Sequence, residues 1–339
     1  MIEKFLAFCV KNKASDLHFS SGAKAKYRVD GDLVDIDISP VLNDEMISQM
    51  LLEIMTDAQR DELIETFECD FSIDDPKNNA RFRVNAFFQN RGYGAVMRRL
   101  ESEVPTLAQF KCPEILKGVK AKKGGLVLVT GPTGSGKSST LAAVINEINM
   151  REQVHILTIE DPVEFVHENK MALINQREVK RDTLSFNNAL KSALREDPDC
   201  ILVGEMRDLE TIRLALEAAE TGHLVMGTLH TMSAIKTVDR IISVFPPAEQ
   251  ELVRNMLAES MQIIVSQRLL KRKGGGRVGA YEVLVANTGI RNMVKENKLT
   301  QIYSSIQTGS GQGMVTMEQS IAKHLANGLI DDEEAGKYL

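Results

Sequence analysis

Between residues 131 and 138 the chain reads Gly131-Pro132-Thr133-Gly134-Ser135-Gly136-Lys137-Ser138, followed by Ser139. Glycines at this spacing let successive backbone N–H groups turn toward one point, and an ammonium group beside them adds positive charge. The chemistry implied is a cradle for a triphosphate such as ATP, with Lys137 on the β/γ oxygens and the Ser138 hydroxyl offered to Mg²⁺. An apolar run at 126–129 precedes the loop, and a stretch with Leu141, Ala142, Val144 and Ile145 on one side follows it. A strand therefore enters the loop and a helix leaves it, its positive dipole end toward the phosphates. A structural glycine-rich turn would not require that context.

Hydrolysis needs more than a cradle: a water must be polarised and the metal held. Two acidic clusters qualify. Thr158-Ile159-Glu160-Asp161-Pro162-Val163-Glu164-Phe165 follows an apolar strand, and Ile201-Leu202-Val203-Gly204-Glu205-Met206-Arg207-Asp208 ends another. Open α/β sheets place ligand sites at the carboxyl ends of their strands. Taken alone, the first cluster also reads as a solvated loop, and in the second Gly204 occupies the place where an aspartate is usual.

The elements that must position these groups follow from the wider sequence. A chain of 339 residues exceeds the roughly 250–300 that one core organises, so two domains are expected. With 43% hydrophobic and 26% charged residues it has the composition of an ordinary globular protein. A net charge of -6 gives no general field for nucleic acid or an anionic membrane. Cys9, Cys69, Cys112 and Cys200 show no paired spacing for zinc or thiol chemistry. No apolar run approaches the about 18 residues needed to cross a bilayer, and the N-terminal apolar stretch 5–10 reads as a folded helix rather than a leader. These features lead us to expect a cytoplasmic protein without direct membrane insertion.

Short alternating segments at 14–37 read as strands, with a turn at Asp30-Gly31; helical spacing covers 43–67, and strand-like segments return at 81–100 around Asn90-Arg91-Gly92. The spacing predicts an α+β domain over 1–100. Pro105, Pro113, the lysines at 117, 120, 122 and 123, and Gly124-Gly125 mark a polar connection, with a linker over 101–112. From 113 to 339, apolar runs at 126–129, 155–159, 200–203 and 224–227 alternate with helical stretches, which implies an α/β fold with a parallel, doubly wound sheet. Beyond Pro246-Pro247 the segments 249–270, 288–295 and 315–327 read mainly as helix, and Gly274-Gly275-Gly276 as a hairpin or loop.

Further motifs extend the pattern. Gly222-His223-Leu224-Val225-Met226-Gly227-Thr228-Leu229-His230-Thr231 and Gly289-Ile290-Arg291-Asn292-Met293-Val294-Lys295-Glu296 stand in order after the acidic clusters. Ala14-Ser15-Asp16-Leu17-His18, Arg81-Phe82-Arg83-Val84-Asn85 and Leu194-Arg195-Glu196-Asp197-Pro198-Asp199 add to them. With these motifs the chain resembles the secretion and type IV pilus ATPase superfamily over essentially its whole length. The acidic turn is similar to that superfamily's Asp box, Gly204-Glu205 to an atypical Walker B end, and residues 222–231 to its His box. Residues 289–296 resemble the AIRNLIRE motif of the pilus retraction branch, with Gly289, Met293, Val294 and Lys295 as departures.

The resemblance implies a RecA-like P-loop ATPase core, a smaller N-terminal PAS-like α+β domain and a helical C-terminal subregion. It implies a homo-hexameric, ATP-hydrolysing motor for pilus retraction and twitching motility, in which hydrolysis drives rigid-body motion of the first domain against the second. The ring would work at the cytoplasmic face of the inner membrane against a pilus platform protein, with room for a paralogous retraction ATPase. Glu164 is expected to polarise the attacking water and Glu205 to support Mg²⁺ through water. His230, with His223, is expected to sense the γ-phosphate. Without the resemblance, His230 reads as a histidine satisfied by local hydrogen bonds. Arg83 and Arg98 match in spacing the arginines that related ATPases extend toward a nucleotide in a neighbouring subunit; exposed strand arginines are the plain alternative.

Pilus-extension and secretion ATPases of the same superfamily are the nearest rival, but they carry a longer N-terminal region and a four-cysteine element that this sequence does not show. A RecA- or helicase-type nucleic-acid motor could cite Lys271-Arg272-Lys273 and Arg277, against which stand five tyrosines, no tryptophan and the acidic balance. A third alternative is an ATP-gated scaffold without turnover.

Overall fold

Two compact units divide the chain, Met1–Glu103 and Val104–Leu339, and each is described by itself. The computed structural model describes every residue except Asp30, Glu101, Ser102 and Lys123, and the side chains of Lys120 and Ala121. The expected Asp30-Gly31 turn and the lysines at 120 and 123 thus lie partly or wholly outside the described residues.

In the first unit, strands that alternate apolar and polar residues put one face on a core and leave the other polar. Its elements are α1 (Ile2–Lys11), β1 (Asp16–Ser20), β2 (Ala23–Lys24), β3 (Lys26–Val29), β4 (Asp32–Asp35), β5 (Val41–Leu42), α2 (Asp44–Leu52), α3 (Asp57–Thr66), β6 (Glu68–Asp75), β7 (Ala80–Gln89) and β8 (Gly92–Leu100). Six strands form an antiparallel sheet in the order β4-β3-β1-β8-β7-β6. Leu17, Phe19, Phe82, Val84, Ala86 and Met97 point to the side covered by Phe5, Ile47 and Met50 of the helices. The helical stretch read over 43–67 is two helices. Thr56 starts a new one, its hydroxyl accepting from the Gln59 N–H while the Gln59 side chain accepts from the Thr56 N–H.

The second unit begins before the sequence suggests: Leu107 and Cys112 are buried in the same apolar cluster as Val127 and Val129. Its elements are β9 (Gly125–Thr130), α4 (Lys137–Asn149), β10 (His155–Glu160), β11 (Leu173–Glu178), α5 (Phe186–Ala193), β12 (Cys200–Val203), α6 (Leu209–Glu220), β13 (Leu224–Leu229), α7 (Ala234–Ser243), α8 (Gln250–Ser260), β14 (Met261–Lys271), β15 (Arg277–Val285), α9 (Thr288–Lys295), α10 (Ile302–Thr308), α11 (Met317–Ala326) and α12 (Asp332–Gly336). The sheet order is β11-β10-β12-β13-β9-β14-β15. All neighbours run parallel except β15, which pairs antiparallel with β14. Leu126 and Leu128 of β9 enter one core and Val127 and Val129 the other, so both faces are covered and the strand is apolar throughout.

Two readings of the sequence need correction. The stretch 249–270 is helical only to Ser260, and Met261–Lys271 continues as a strand beside β9. Its run Ile263-Ile264-Val265 is buried on both sides, so it carries no alternation to separate strand from helix. The sheet is therefore mixed rather than wholly parallel, closed at one edge by the β14–β15 hairpin whose tip holds Gly274-Gly275-Gly276. The fold is an α/β P-loop core with a helical C-terminal subregion, accompanied by a small α+β unit. Because Ile264 is fully buried in this inserted strand, Ile264→Ala should cost about 2–5 kcal/mol in denaturant-induced unfolding.

Candidate nucleotide hydrolysis site

The sheet order brings β13 and β14 to either side of β9, with β12 and then β10 beyond β13, so the carboxyl ends of the parallel strands β9, β10, β12 and β13 share one edge. Residues 131–136 form the loop between β9 and α4 at that edge. Gly131 and Gly136 have φ of 145° and 85°. A Cβ on Gly131 would stand 2.3 Å from the carbonyl oxygen of Gln267, so the loop closes against β14 only with glycine there. The Gln267 side chain is buried behind the loop: its Nε2 donates to the Ser135 carbonyl at 2.6 Å and its Oε1 accepts from the Thr140 hydroxyl at 2.7 Å.

Lys137 opens α4 with its ammonium folded back, donating to the carbonyls of Gly131 (2.9 Å) and Pro132 (3.1 Å). Burial lowers its pKa, opposed by the charges of Glu205 and Glu164, so both carboxylates act on this ammonium. The Ser135 hydroxyl is buried without a partner. An orphan hydroxyl, a buried ammonium and a helix N-terminus at one loop suit a phosphate chain. No group of three or more His, Cys, Asp or Glu side chains able to hold a metal exists among the described residues. The Ser138 hydroxyl, in the first turn of α4, is an oxygen donor of the kind that a divalent ion bound together with phosphates accepts.

Glu205 stands just past β12, where Arg207 Nε approaches it to 2.6 Å and His230 Nε2 to 3.3 Å. Burial raises its pKa, but Arg207 and His230 outweigh burial and hold it below the usual carboxylate range. Gly204 also has a structural reason: a Cβ there would lie 3.0 Å from the Ile159 carbonyl, so the usual aspartate would crowd β10. His230 follows β13, and the hydroxyls of Thr231 and Thr237 meet at 2.7 Å, with Thr237 and Thr130 at 3.4 Å. This chain ties the His230 loop to the strand that feeds the phosphate loop.

Glu164 lies in the turn after β10. Glu160, at the end of β10, accepts hydrogen bonds from the Thr158 hydroxyl (2.7 Å) and Gln176 Nε2 (3.1 Å). It keeps some exposed surface, yet the protein around it penalises the charged form. Burial pushes its pKa up to about 7 against those two donors, and the Glu164 charge adds to the rise.

Lys137, Glu164, Glu205 and His230 are thus brought together with the loop 131–138. His223 is not among them. It precedes β13, with Nδ1 3.0 Å from the Ala218 carbonyl, and the six residues of β13 separate it from His230 by about 20 Å. Alternation along one strand does not carry a residue from one end of a sheet to the other, so within this unit His223 is not beside the phosphate loop. Arg83 and Arg98 belong to the first unit, where they are cross-strand partners on its polar face. Arg83 pairs with Asp70 at 2.6 Å and Arg98 with the buried Asp16 at 2.8 Å. Sequence reasoning assigned no role to Glu160, Arg207, Gln176 or Gln267. The first two stood in the quoted acidic clusters, whereas Gln267 was hidden by the helical reading of β14.

The Glu160 shift gives a pH signature. Its folded-state pKa is raised from 4.5 to about 7, so its contribution to stability is complete below about 4.5 and is lost as pH rises through about 7. Nucleotide-free protein should therefore lose stability relative to Glu160→Gln between about pH 5 and pH 8, by up to about 3 kcal/mol, in paired thermal melts.

The sequence matches the family model for the Type II/IV secretion system protein over residues 1–335. It is 55% identical over 98% of its length to the type IV pilus retraction ATPase PilT of Pseudomonas aeruginosa, covering 96% of that protein. It is 56% identical over 91% of its length to a twitching motility protein of Neisseria gonorrhoeae, covering 82% of that relative. Among solved structures, the pilus retraction motor PilT with bound ADP superposes with a TM-score of 0.93 at 45% identity, covering 99% of this chain and 96% of that one. With the phosphate loop, the carboxylates and His230 gathered at one sheet edge, and with similarity along the whole chain, the protein belongs to the Type II/IV secretion system protein family and is an ATPase.

Proposed function

We propose that this ATPase is the motor subunit of type IV pilus retraction and twitching motility. The observation that carries the reading is the convergence of Lys137, Glu164, Glu205 and His230 on the phosphate loop. Similarity to retraction ATPases over nearly the whole chain supplies the biological context.

In this reading the backbone amides of 131–138 and Lys137, released from its two carbonyls, take the phosphates of ATP. Pro132, Thr133, Ser135 and Ser139 belong to the same cradle. Ser138, and Glu205 through water, would hold Mg²⁺, which would supply positive charge against the phosphates. Glu164 orients and polarises the attacking water. His230, hydrogen-bonding distance from Glu205, reads the γ-phosphate, and departure of phosphate lets the Glu205–Arg207–His230 cluster rearrange. Arg83 and Arg98 exchange Asp70 and Asp16 for the nucleotide of an adjacent subunit, which makes a ring, a hexamer by family likeness, part of the active site. No helix among the described residues is long and apolar enough to cross a membrane, so contact with the inner membrane is assigned to a platform protein, on the cytoplasmic face. The linker is placed at 101–112 in sequence, though 104–112 pack with the second unit.

Nucleotide-binding and turnover assays separate the roles. Lys137→Ala should abolish binding, whereas Glu164→Ala should keep binding and lose hydrolysis; unchanged turnover in both variants rejects the site. Arg83→Ala should lower turnover by roughly 10³-fold or more if the arginine acts as a finger. Mixing Arg83→Ala subunits with Lys137→Ala subunits should restore part of it, because each repairs the other's defect across the interface. In cells, Lys137→Ala should leave pili abundant and twitching absent; loss of pili would instead indicate an extension motor.

A further inference from the structure

The turn that carries Glu164 has no helix or ladder of its own between β10 and β11. Glu160 at the end of β10 accepts from the Glu164 backbone, and the residues on either side are held by the neighbouring strand β11. Gln176 of β11 pairs in register with Thr158, and Glu178 with Glu160. The Gln176 Nε2 donates to the Phe165 carbonyl at 2.8 Å, and its Oε1 accepts from the His167 N–H at 2.7 Å. Two residues on, Glu178 Oε2 accepts from the Val163 N–H at 3.1 Å. Glu178 is itself anchored: it is 3% exposed, and its own N–H donates to Asp182 at 2.9 Å.

Glu164 therefore stands between two residues, Val163 and Phe165, whose backbone groups are each fixed to β11 by a side chain. We propose that Gln176, assisted by Glu178, is a positioning residue for ATP hydrolysis, holding the 163–167 turn so that the Glu164 carboxylate meets the attacking water. The inference rests on the reading of Glu164 given above. The primary amide is the chemistry the position demands. Phe165 offers an acceptor and His167 a donor, and one planar group with both functions satisfies them together. The same Nε2 reaches Glu160, so one side chain joins the end of β10 to the turn that follows it. A carboxylate that drifts by about an ångström from a reacting water loses up to about 100-fold in rate without losing the nucleotide, whose grip lies on the other loop.

The test uses the full-length protein and compares kcat with the dissociation constant for ATP. Gln176→Met, similar in length but unable to make these hydrogen bonds, should lower kcat by about 10- to 100-fold with nucleotide affinity unchanged within about twofold. Gln176→Glu keeps an oxygen for the His167 N–H and loses the amide donor. It should show the same division and serves if Gln176→Met does not fold. In a Glu164→Gln background, Gln176→Met should cause no further loss of residual turnover, because the two act through one group. Equal losses of kcat and affinity, a full additional loss in the Glu164→Gln background, or kcat unchanged in the Gln176 variants while Glu164→Gln abolishes it would overturn the proposal. Turnover intact in Glu164→Gln would instead reject the underlying reading of the site.

Discussion

A phosphate held by backbone N–H groups is bound only as firmly as the loop that aims them. That loop has few hydrogen bonds of its own, so its geometry has to be imposed from behind. In this chain β14 does so. Gln267 holds the Ser135 carbonyl and the Thr140 hydroxyl, and the Gln267 carbonyl closes on Gly131 where no Cβ fits. The buried Ser266 and Thr130 hydroxyls, 2.8 Å apart, join the same two strands one residue earlier. Binding is thus built on strand packing, and the polar loop inherits its rigidity from a sheet whose two faces are both covered.

Charge is arranged around the loop with the same economy. Lys137 is buried and folded onto two carbonyls, with Glu164 and Glu205 favouring its charged form. Glu205 is kept ionised by Arg207 and His230, while Glu160, a few residues from Glu164, is driven toward its protonated form by burial. Carboxylates at neighbouring strand ends are therefore set to different protonation behaviour by their surroundings alone, which is how one acidic edge can both hold charge and accept it.

The arginines of the first unit follow another logic. Arg83 and Arg98 sit on the polar face of an antiparallel sheet, opposite a face packed with Phe82, Val84 and Met97, and each already has a carboxylate partner. The Arg83–Asp70 pair is half-exposed on both sides and is worth little, whereas Arg98 covers a carboxylate that is itself buried and is costly to leave unpaired.

What the sequence determined by itself was local: the phosphate loop, because its glycines and Lys137 must be consecutive to surround one anion, and the strand before it and helix after it. The apolar runs of β9, β10, β12 and β13 were equally legible, since strands buried on both faces are continuous in sequence. The acidic turn, Glu205 and His230 could be named as candidates, but their meeting depends on strand order, which no spacing in the chain encodes. Tertiary structure decided that β14 is a strand and not the end of α8, because an unbroken apolar run satisfies either period until a neighbour supplies its hydrogen bonds. It separated His223 from His230 by the length of β13, although they share one motif. It also gave Gln176, Glu178 and Gln267 their partners, polar side chains whose sequence neighbours reveal nothing of the backbone groups they hold across the sheet.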